Sequence, residues 1–187
     1  MNEMLLFART FLKEPKMLGS VIPSSRFLTN RLLRIMDLKR ANLIVEFGPG
    51  IGNITDEILD ELNSRGKLVA IEMNDIFAQH LKENSRDGRL IVEHDSAENV
   101  QSILAMRGLG SADYIISGIP FSTMPDQLRR NILQNSYRAL KPGGEMIVYQ
   151  FSSAVLADLK QVFGKVEEQL EPWNILPARV FRAIKRR

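Results

Sequence analysis

The feature that most constrains the fold of this chain is a glycine-rich turn between a predicted strand and a predicted helix. Glycines occupy alternate positions of the turn, at Gly48, Gly50 and Gly52. The turn follows an apolar run that ends at Val45 and precedes a helical pattern that begins at Ile54. Glycine lets the backbone turn tightly and approach a ligand closely. Because open α/β sheets bind nucleotides at the carboxyl ends of their strands, the turn predicts a nucleotide-binding α/β fold.

The spacing of the glycines separates this turn from two common phosphate sites. Gly-x-Gly-x-Gly is not the Gly-x-Gly-x-x-Gly of dinucleotide sites, and the Lys-Ser/Thr pair of a P-loop is missing. Glu46 lies two residues before the first glycine, where a carboxylate suits a cationic group such as an ammonium or a sulfonium. The alternative is a glycine-rich turn that binds no ligand.

Strands and helices alternate along most of the chain, which is typical of a parallel sheet with crossover helices. The last two predicted strands instead follow one another directly and indicate an antiparallel hairpin at the sheet edge. We therefore expect a mostly parallel, seven-stranded Rossmann-like sheet with helices on both faces. One domain would span residues 1–187, with a helical cap over 1–40 and an α/β core over 41–187. The predicted strands are 43–45, 67–72, 89–93, 112–117, 145–151, 166–170 and 179–184, and the core helices are 55–62, 75–84, 100–106, 126–140 and 153–163.

Composition excludes several classes of protein. The chain is 44% hydrophobic with a net charge of +3, which is not typical of a disordered chain. No segment of the sequence approaches the run of about 18 apolar residues that a membrane-spanning helix needs. It has no cysteine and two histidines, so disulfides, thiolate metal sites and a histidine-rich metal centre are not expected. We expect a cytoplasmic protein that binds no metal.

The segment before the core allows two interpretations. Residues 1–12 have the apolar spacing of an amphipathic helix, and Arg9, Lys13 and Lys16 lie near its end. Such a helix could lie on anionic lipid, or it could pack over the sheet or the cofactor cleft of its own domain. The next helix is predicted over residues 26–36. Ser25 is a candidate N-cap for it, although Ser20 and Ser25 could instead close over a ligand.

Acidic residues end three successive predicted strands: Glu46, Glu72 and Asp95. Glu72 follows Gly52 by 20 residues and could accept hydrogen bonds from both hydroxyls of a ribose. Asp95 could accept from an adenine amino group, with the backbone N–H of Ser96 donating to the ring. The structural alternatives are a surface glutamate at position 72 and a cap for the following turn at position 95.

With these residues in place, the chain resembles a known family. Residues 45–55 resemble the first motif of the class I S-adenosylmethionine (SAM) methyltransferases. When the loop over residues 117–122 is included, the sequence from about residue 18 to 186 resembles one branch of these enzymes. This branch contains ribosomal RNA adenine dimethyltransferases and bacterial phospholipid N-methyltransferases. The resemblance implies SAM as the cofactor. The cofactor-binding residues that it implies are Glu46, Gly48, Gly50, Gly52, Asn53, Glu72, Met73, Asp95, Ser96 and Ser117.

The loop after the fourth strand concerns the methyl acceptor. In the RNA enzymes it contains Asn-Leu-Pro-Tyr/Phe, and the Asn and the Pro carbonyl hold the target amino group. This chain has Gly118 at the Asn position, which argues against adenine methylation. Pro120 and Phe121 are retained, and the ring of Phe121 could face a base or a cationic amine. The substrate-binding candidates are Ser20, Ser25, Gly118, Pro120 and Phe121; the residues do not identify a catalytic base.

The lipid branch is the closer resemblance. Residues 19–25 and 174–180 resemble the phospholipid enzymes, and we expect no counterpart of the helical RNA-binding domain that follows the sheet in the RNA enzymes. The resemblance implies N-methylation of an aminophospholipid headgroup, of the phosphatidylethanolamine type, by an enzyme that is peripheral on the inner face of the membrane. One alternative is a ribosomal RNA adenine-N6 or small-molecule methyltransferase on the same scaffold. Another is a SAM-binding module without catalysis.

Overall fold

The computed structural model of the protein describes residues 25–172 and 177–186, and a seven-stranded sheet forms its centre. In chain order the strands are β1 (Leu43–Phe47), β2 (Lys67–Glu72), β3 (Leu90–His94), β4 (Ala112–Ser117), β5 (Leu140–Gln150), β6 (Val166–Glu171) and β7 (Ala178–Ile184). Their order in the sheet is β3-β2-β1-β4-β5-β7-β6. Strands β1 to β5 are parallel, and β7 is antiparallel to both of its neighbours.

Six α-helices are described, and they cover both faces of the sheet. Helices α1 and α2 contribute to one buried cluster, and α4, α5 and α6 contribute to the other. The strands supply both clusters with alternate residues: Ile44 faces the first cluster and Val45 the second, as the two-residue period of a strand requires. The helices are α1 (Arg26–Ile35), α2 (Asn53–Glu61), α3 (Asp75–Asn84), α4 (Val100–Met106), α5 (Asp126–Ala139) and α6 (Leu156–Phe163).

The predicted fold class is confirmed. The sheet is mostly parallel, ends in an antiparallel hairpin of β6 and β7, and carries helices on both faces. The predicted bounds of β2, α3, α4 and β4 match the structure. Three of these elements end at polar residues, and α4 is followed by Arg107 and Gly108, all of which are visible in the sequence.

The start of β5 was predicted wrongly. The sequence Lys141-Pro142-Gly143-Gly144 indicates a turn, yet the strand already begins at Leu140. Leu140 pairs with Ala112, and a register shift separates this pair from the regular ladder that begins at Tyr114 and Glu145. The backbone of residues 143 and 144 exchanges hydrogen bonds with Lys185, just beyond β7. Tertiary pairing therefore overrides the local turn preference.

The amino-terminal predictions fall mostly outside this description. The proposed amphipathic helix over residues 1–12, the basic residues near it and Ser20 lie outside the described residues. Ser25 begins the described part and caps α1, because its hydroxyl accepts a hydrogen bond from the backbone N–H of Leu28 at 3.2 Å. Within residues 25–172 and 177–186, none of the helices has both the length and the apolar character that a membrane span requires.

Candidate active site

The carboxyl ends of β1, β2 and β4 meet at one edge of the sheet. Phe47, the last residue of β1, is in register with Ile71 of β2 on one side and with Ser117 of β4 on the other. The residues that follow these strands are therefore brought together, as the parallel arrangement predicts. This edge contains the glycine turn, the acidic strand ends and the loop after β4.

Glu46 is buried at this edge and has no positively charged partner among the described residues. Its side chain is 1% exposed, and its Oε2 accepts a hydrogen bond from the hydroxyl of Thr55 at 2.7 Å. Its Oε1 is buried and has no hydrogen-bond partner within the described residues. Burial raises the pKa of Glu46 to about 7; the Thr55 hydrogen bond opposes this rise, and the negative charge of Glu72 adds to it.

The glycine turn adopts a backbone that only glycine accommodates well. Gly48, Gly50 and Gly52 have φ values of 68°, 59° and 97°, in the left-handed region that other residues rarely adopt. A Cβ at Gly48 would lie 2.7 Å from Cγ2 of Ile119, and one at Gly52 would lie 2.7 Å from Cδ2 of Leu81. The backbone conformation thus favours glycine at both positions, and a Cβ at either would also displace the side chain of Ile119 or Leu81.

Glu72 fixes the glycine turn from the neighbouring strand. Its Oε2 accepts the backbone N–H of Gly50 at 3.0 Å, and its Oε1 accepts the N–H of Asn74 at 2.9 Å. The side chain is buried, and burial raises its pKa, while the hydrogen bonds from Asn74 and Gly50 oppose that rise. Each carboxylate oxygen has a second lone pair, so the predicted contact with ribose hydroxyls is compatible with these bonds. Glu72 is thus buried among backbone donors and is not a surface glutamate.

The cap of the turn after β3 is Ser96 and not Asp95, and Asp95 is hydrogen-bonded within that turn. Oδ1 of Asp95 accepts hydrogen bonds from the N–H of Ser96 at 2.7 Å and from the side-chain amide of Asn99 at 2.8 Å. Ser96 in turn accepts the N–H of Glu98 and begins a short 3-10 helix. The backbone N–H of Ser96, a predicted donor to adenine, therefore donates to Asp95 in this structure.

Three buried polar atoms without partners lie near the carboxyl ends of three adjacent strands. They are Oε1 of Glu46 in β1, the hydroxyl of Ser117 in β4 and Oε1 of Gln150 in β5. Buried polar groups are almost always hydrogen-bonded. Within the described residues, the buried side-chain polar atoms without a hydrogen-bond partner all lie at this edge of the sheet. This is expected of a site that receives a polar ligand.

The loop after β4 lacks both groups that would hold an adenine amino group. Gly118 has no side chain, and a Cβ there would lie 2.2 Å from the hydroxyl oxygen of Tyr149. The carbonyl of Pro120 accepts hydrogen bonds from the N–H of Thr123 at 3.1 Å and from its hydroxyl at 3.0 Å. A carbonyl oxygen has two lone pairs, so the turn already uses both. Pro120 is thus not placed for the role that the RNA-enzyme pattern implies.

The prediction that Phe121 offers an aromatic face is not supported by its position. The side chain is fully buried and belongs to the core cluster that also contains Phe47. Residues 121–123 form a 3-10 turn, and Phe121 is the buried residue of that turn. The aromatic side chain next to Gly118 is that of Tyr149, which the sequence did not single out.

The remaining site candidates lie at the rim. Met73 is 69% exposed and follows Glu72 directly. Asn53 is exposed and is the first residue of α2, whose N-cap, Gly52, provides no side-chain cap. The free N–H groups at such a helix start favour a carboxylate. Thr55, two residues further, was not predicted as a site residue, although a hydroxyl three residues after the last glycine is visible in the sequence.

The chemistry of this edge fits the groups that SAM carries. The two buried carboxylates, Glu46 and Glu72, form no salt bridge with any described residue and suit an ammonium, a sulfonium or ribose hydroxyls. The open start of α2 suits a carboxylate. Glycine at positions 48 and 52 lets the turn pack closely against Ile119 and Leu81, which a Cβ would approach to 2.7 Å.

Comparison with known proteins agrees with this geometry. A family model, described as the ubiE/COQ5 methyltransferase family, matches residues 23–175. The chain belongs to this family. It is a methyltransferase with S-adenosyl-L-methionine as its cofactor, and its resemblance to the class I SAM-dependent enzymes is confirmed.

Relatives and solved structures add detail. The ornithine lipid N-methyltransferase of Singulisphaera acidiphila is 29% identical over 181 residues, which are 95% of this chain and 94% of that protein. The ribosomal RNA small subunit methyltransferase A of Dehalococcoides mccartyi is 35% identical over 72 residues, 38% of this chain and 24% of that protein. The N-methyltransferase NodS from Bradyrhizobium japonicum, solved with S-adenosyl-L-homocysteine, superposes with a TM-score of 0.65 at 12% identity and covers 86% of this chain and 88% of its own. At that identity the superposition shows the fold alone.

Proposed function

We propose that this enzyme N-methylates the primary amine of a lipid headgroup, with an aminophospholipid of the phosphatidylethanolamine type as the acceptor. The observation that carries the proposal is the loop after β4. Gly118 provides no side-chain acceptor, and the carbonyl of Pro120 is already occupied by Thr123. An adenine amino group would therefore lose both of its expected partners, whereas a flexible aliphatic amine does not need a planar clamp.

The similarity to a lipid-modifying relative supports the same acceptor class. The ornithine lipid N-methyltransferase matches almost from end to end, while the ribosomal RNA enzyme matches over 72 residues. Ornithine and ethanolamine headgroups share a primary amine on a flexible chain. The amine is the shared chemistry on which the proposal rests, and the experiment below distinguishes the two lipids.

The roles of the residues follow from their surroundings. Glu46 would hold the positively charged methionine end of the cofactor, and Glu72 would accept from the ribose while it fixes the turn at Gly50. When bound, SAM supplies a methyl group on a positively charged sulfur, which an amine lone pair attacks without help from a metal or a covalent intermediate. The chain's main contribution is therefore alignment of the amine. The amine must arrive unprotonated, because an ammonium has no lone pair.

A direct test uses purified enzyme, methyl-labelled SAM and three separate acceptors. Vesicles of phosphatidylcholine with phosphatidylethanolamine, vesicles of phosphatidylcholine with ornithine lipid, and total RNA are each incubated with the enzyme, and products are identified by mass spectrometry. We expect methylated amine in the phosphatidylethanolamine arm. Label in the ornithine lipid arm alone would support an amine lipid as the class of acceptor. It would overturn the proposal that the acceptor is a phospholipid headgroup. Label only in RNA would overturn the proposal.

A ribosomal RNA substrate is the second candidate, and the 35% identity to a ribosomal RNA methyltransferase favours it. That match covers 24% of the relative. The candidate requires another way to hold the adenine amino group than the loop over residues 118–120. Methylated adenosine in the RNA arm would support it.

Contact with an anionic membrane is a further part of the proposal. It is motivated by Arg9, Lys13 and Lys16 in the amphipathic amino-terminal segment. Each basic residue near an anionic surface contributes roughly 1 kcal/mol, so reversing the three charges together should abolish flotation of the full chain with anionic vesicles. The control is Arg65→Glu, an exposed turn residue, which should float as wild type does. Equal recovery of wild type with anionic and neutral vesicles would contradict membrane docking by charge.

A further inference from the structure

Tyr149 and Gly118 are neighbours on the adjacent strands β5 and β4, at the end where the candidate active site lies. The parallel register pairs Ser117 with Val148, so the next residues, Gly118 and Tyr149, lie side by side just beyond that pair. A Cβ built on Gly118 would come 2.2 Å from the hydroxyl oxygen of Tyr149 and 2.6 Å from its Cζ. The phenol end of this side chain therefore lies directly over the backbone of Gly118.

The alternation of side chains places Tyr149 on the same face of the sheet as Glu46. Glu46 is in register with Ile116, which is in register with Ile147. Gly118 and Tyr149 lie two residues further along β4 and β5, and residues two apart in a strand point to the same face. The tyrosine packs against the buried cluster of that face. Its ring is thus held in place at the edge that also contains Glu46.

We propose that Tyr149 is an acceptor-binding residue and that its hydroxyl orients the amine to be methylated. This inference rests on the proposed methylation of a lipid amine. It assigns to Tyr149 the amine-binding role that the Asn at the position of Gly118 has in the RNA enzymes. A phenol oxygen accepts a hydrogen bond from an amine N–H, and the aromatic ring favours the positive charge that develops on nitrogen.

The role of Tyr149 is orientation of the lone pair. The amine nitrogen forms the new N–C bond as the C–S bond of the cofactor breaks, and the electron pair of that bond goes to sulfur. The methylated nitrogen then loses its proton to water. Tyr149 takes no proton in this scheme, so it contributes to the binding and alignment of the acceptor.

A purely structural role is the competing explanation, because an aromatic ring can cover a glycine in a neighbouring strand. The substitution Tyr149→Phe separates the two roles, since it keeps the ring and removes the hydroxyl. We expect kcat/KM for the aminolipid to fall about tenfold, as for the loss of one hydrogen bond in the transition state. The Kd for SAM should stay at its wild-type value. Ring packing alone would leave the lipid kinetics unchanged.

Tyr114→Phe is the matched control. Tyr114 faces the same cluster near the start of β4, away from the site, and its hydroxyl accepts the backbone N–H of Asp37 at 3.0 Å. Removal of this hydroxyl should lower the Tm and leave kcat/KM for the aminolipid at the wild-type value. Gly118→Ala is a second variant, because its methyl group would displace the phenol end of Tyr149. It should also lose lipid kcat/KM.

The outcomes distinguish this inference from the function on which it rests. If wild type methylates the aminolipid and Tyr149→Phe does so with wild-type kcat/KM, the inference is overturned and the proposed function stands. A Tyr149→Phe variant that weakens SAM binding as much as lipid kinetics would also overturn it, since the hydroxyl would then serve the cofactor or the fold. If wild type methylates no amine lipid, the proposed function and the inference both fall.

Discussion

The backbone N–H of Gly50 donates a hydrogen bond to the carboxylate of Glu72 across 3.0 Å. This bond joins the turn after β1 to the end of β2. A second bond, from the N–H of Asn74 to the other carboxylate oxygen, fixes the side chain in its orientation. The acid that is expected to bind the ribose is thus also the group that shapes the glycine turn, so cofactor affinity and turn geometry depend on one side chain.

Replacement of Glu72 by Ala should weaken SAM binding at least tenfold, measured by isothermal titration calorimetry. The substitution removes the acceptor for ribose hydroxyls and leaves the N–H groups of Gly50 and Asn74 without their buried partner, which is costly. The control is Glu93→Ala in β3, where the carboxylate pairs with Arg107 at the surface. Unchanged affinity in Glu72→Ala would refute the role assigned to this residue.

The buried carboxyl of Glu46 should make stability fall as the pH rises. An unfolded glutamate ionises near pH 4.5, whereas the pKa of Glu46 in the fold is about 7. Between these values the native state holds a proton that the unfolded state has lost, so the free energy of unfolding falls by about 3 kcal/mol across this window. Urea unfolding at pH 5 and pH 7.5 measures this, and Glu46→Gln should flatten the dependence. An equal pH dependence in both proteins would contradict burial of an ionisable Glu46.

The same carboxyl should make SAM binding depend on pH in the opposite direction. Ionised Glu46 attracts the cationic groups of the cofactor, and the ionised fraction rises as the pH passes through about 7. Affinity for SAM in wild type is therefore expected to increase roughly tenfold from pH 6 to pH 8. Calorimetry at several pH values checks this. Glu46→Gln should bind more weakly at pH 8 and show a flatter profile; a profile parallel to that of wild type would exclude Glu46 from the cofactor site.

Gly48→Ala should reduce both stability and SAM binding. Alanine at φ 68° costs about 1–2 kcal/mol, and its Cβ would lie 2.7 Å from Cγ2 of Ile119. Gly88→Ala is the matched control, because a Cβ there meets no atom within 4 Å. Thermal unfolding and SAM titration of both variants give the comparison. If the two alanine variants have the same Tm and the same Kd, the turn does not need glycine at position 48.

The alternation of strands and helices was predictable because periodicity and turn residues act locally. Strand β2 and helix α3 were located to the residue, since Gly66 precedes the strand and Asn74 caps the helix. The early start of β5 was not predictable. Its residues 140–144 have the composition of a turn and become a strand only through pairing with Ala112 and contact with Lys185.

The positions of the candidate residues at the ends of strands were easier to predict than the hydrogen-bond partners of these residues. Glu46 and Glu72 follow from their positions in the chain. The hydrogen bonds of Asp95 with Ser96 and Asn99, and the burial of Phe121, depend on side-chain packing that the sequence leaves open. Tyr149 was not singled out, because its proximity to Gly118 arises from the register between β4 and β5, which joins residues far apart in the sequence.

The most direct test of the central claim is a crystal structure of the protein grown with S-adenosyl-L-homocysteine. We expect the ribose hydroxyls within about 3 Å of the Glu72 carboxylate, the amino group near Glu46, and the sulfur directed toward Gly118 and Tyr149. A cofactor bound elsewhere, with this edge of the sheet unchanged at saturating ligand, would contradict the account.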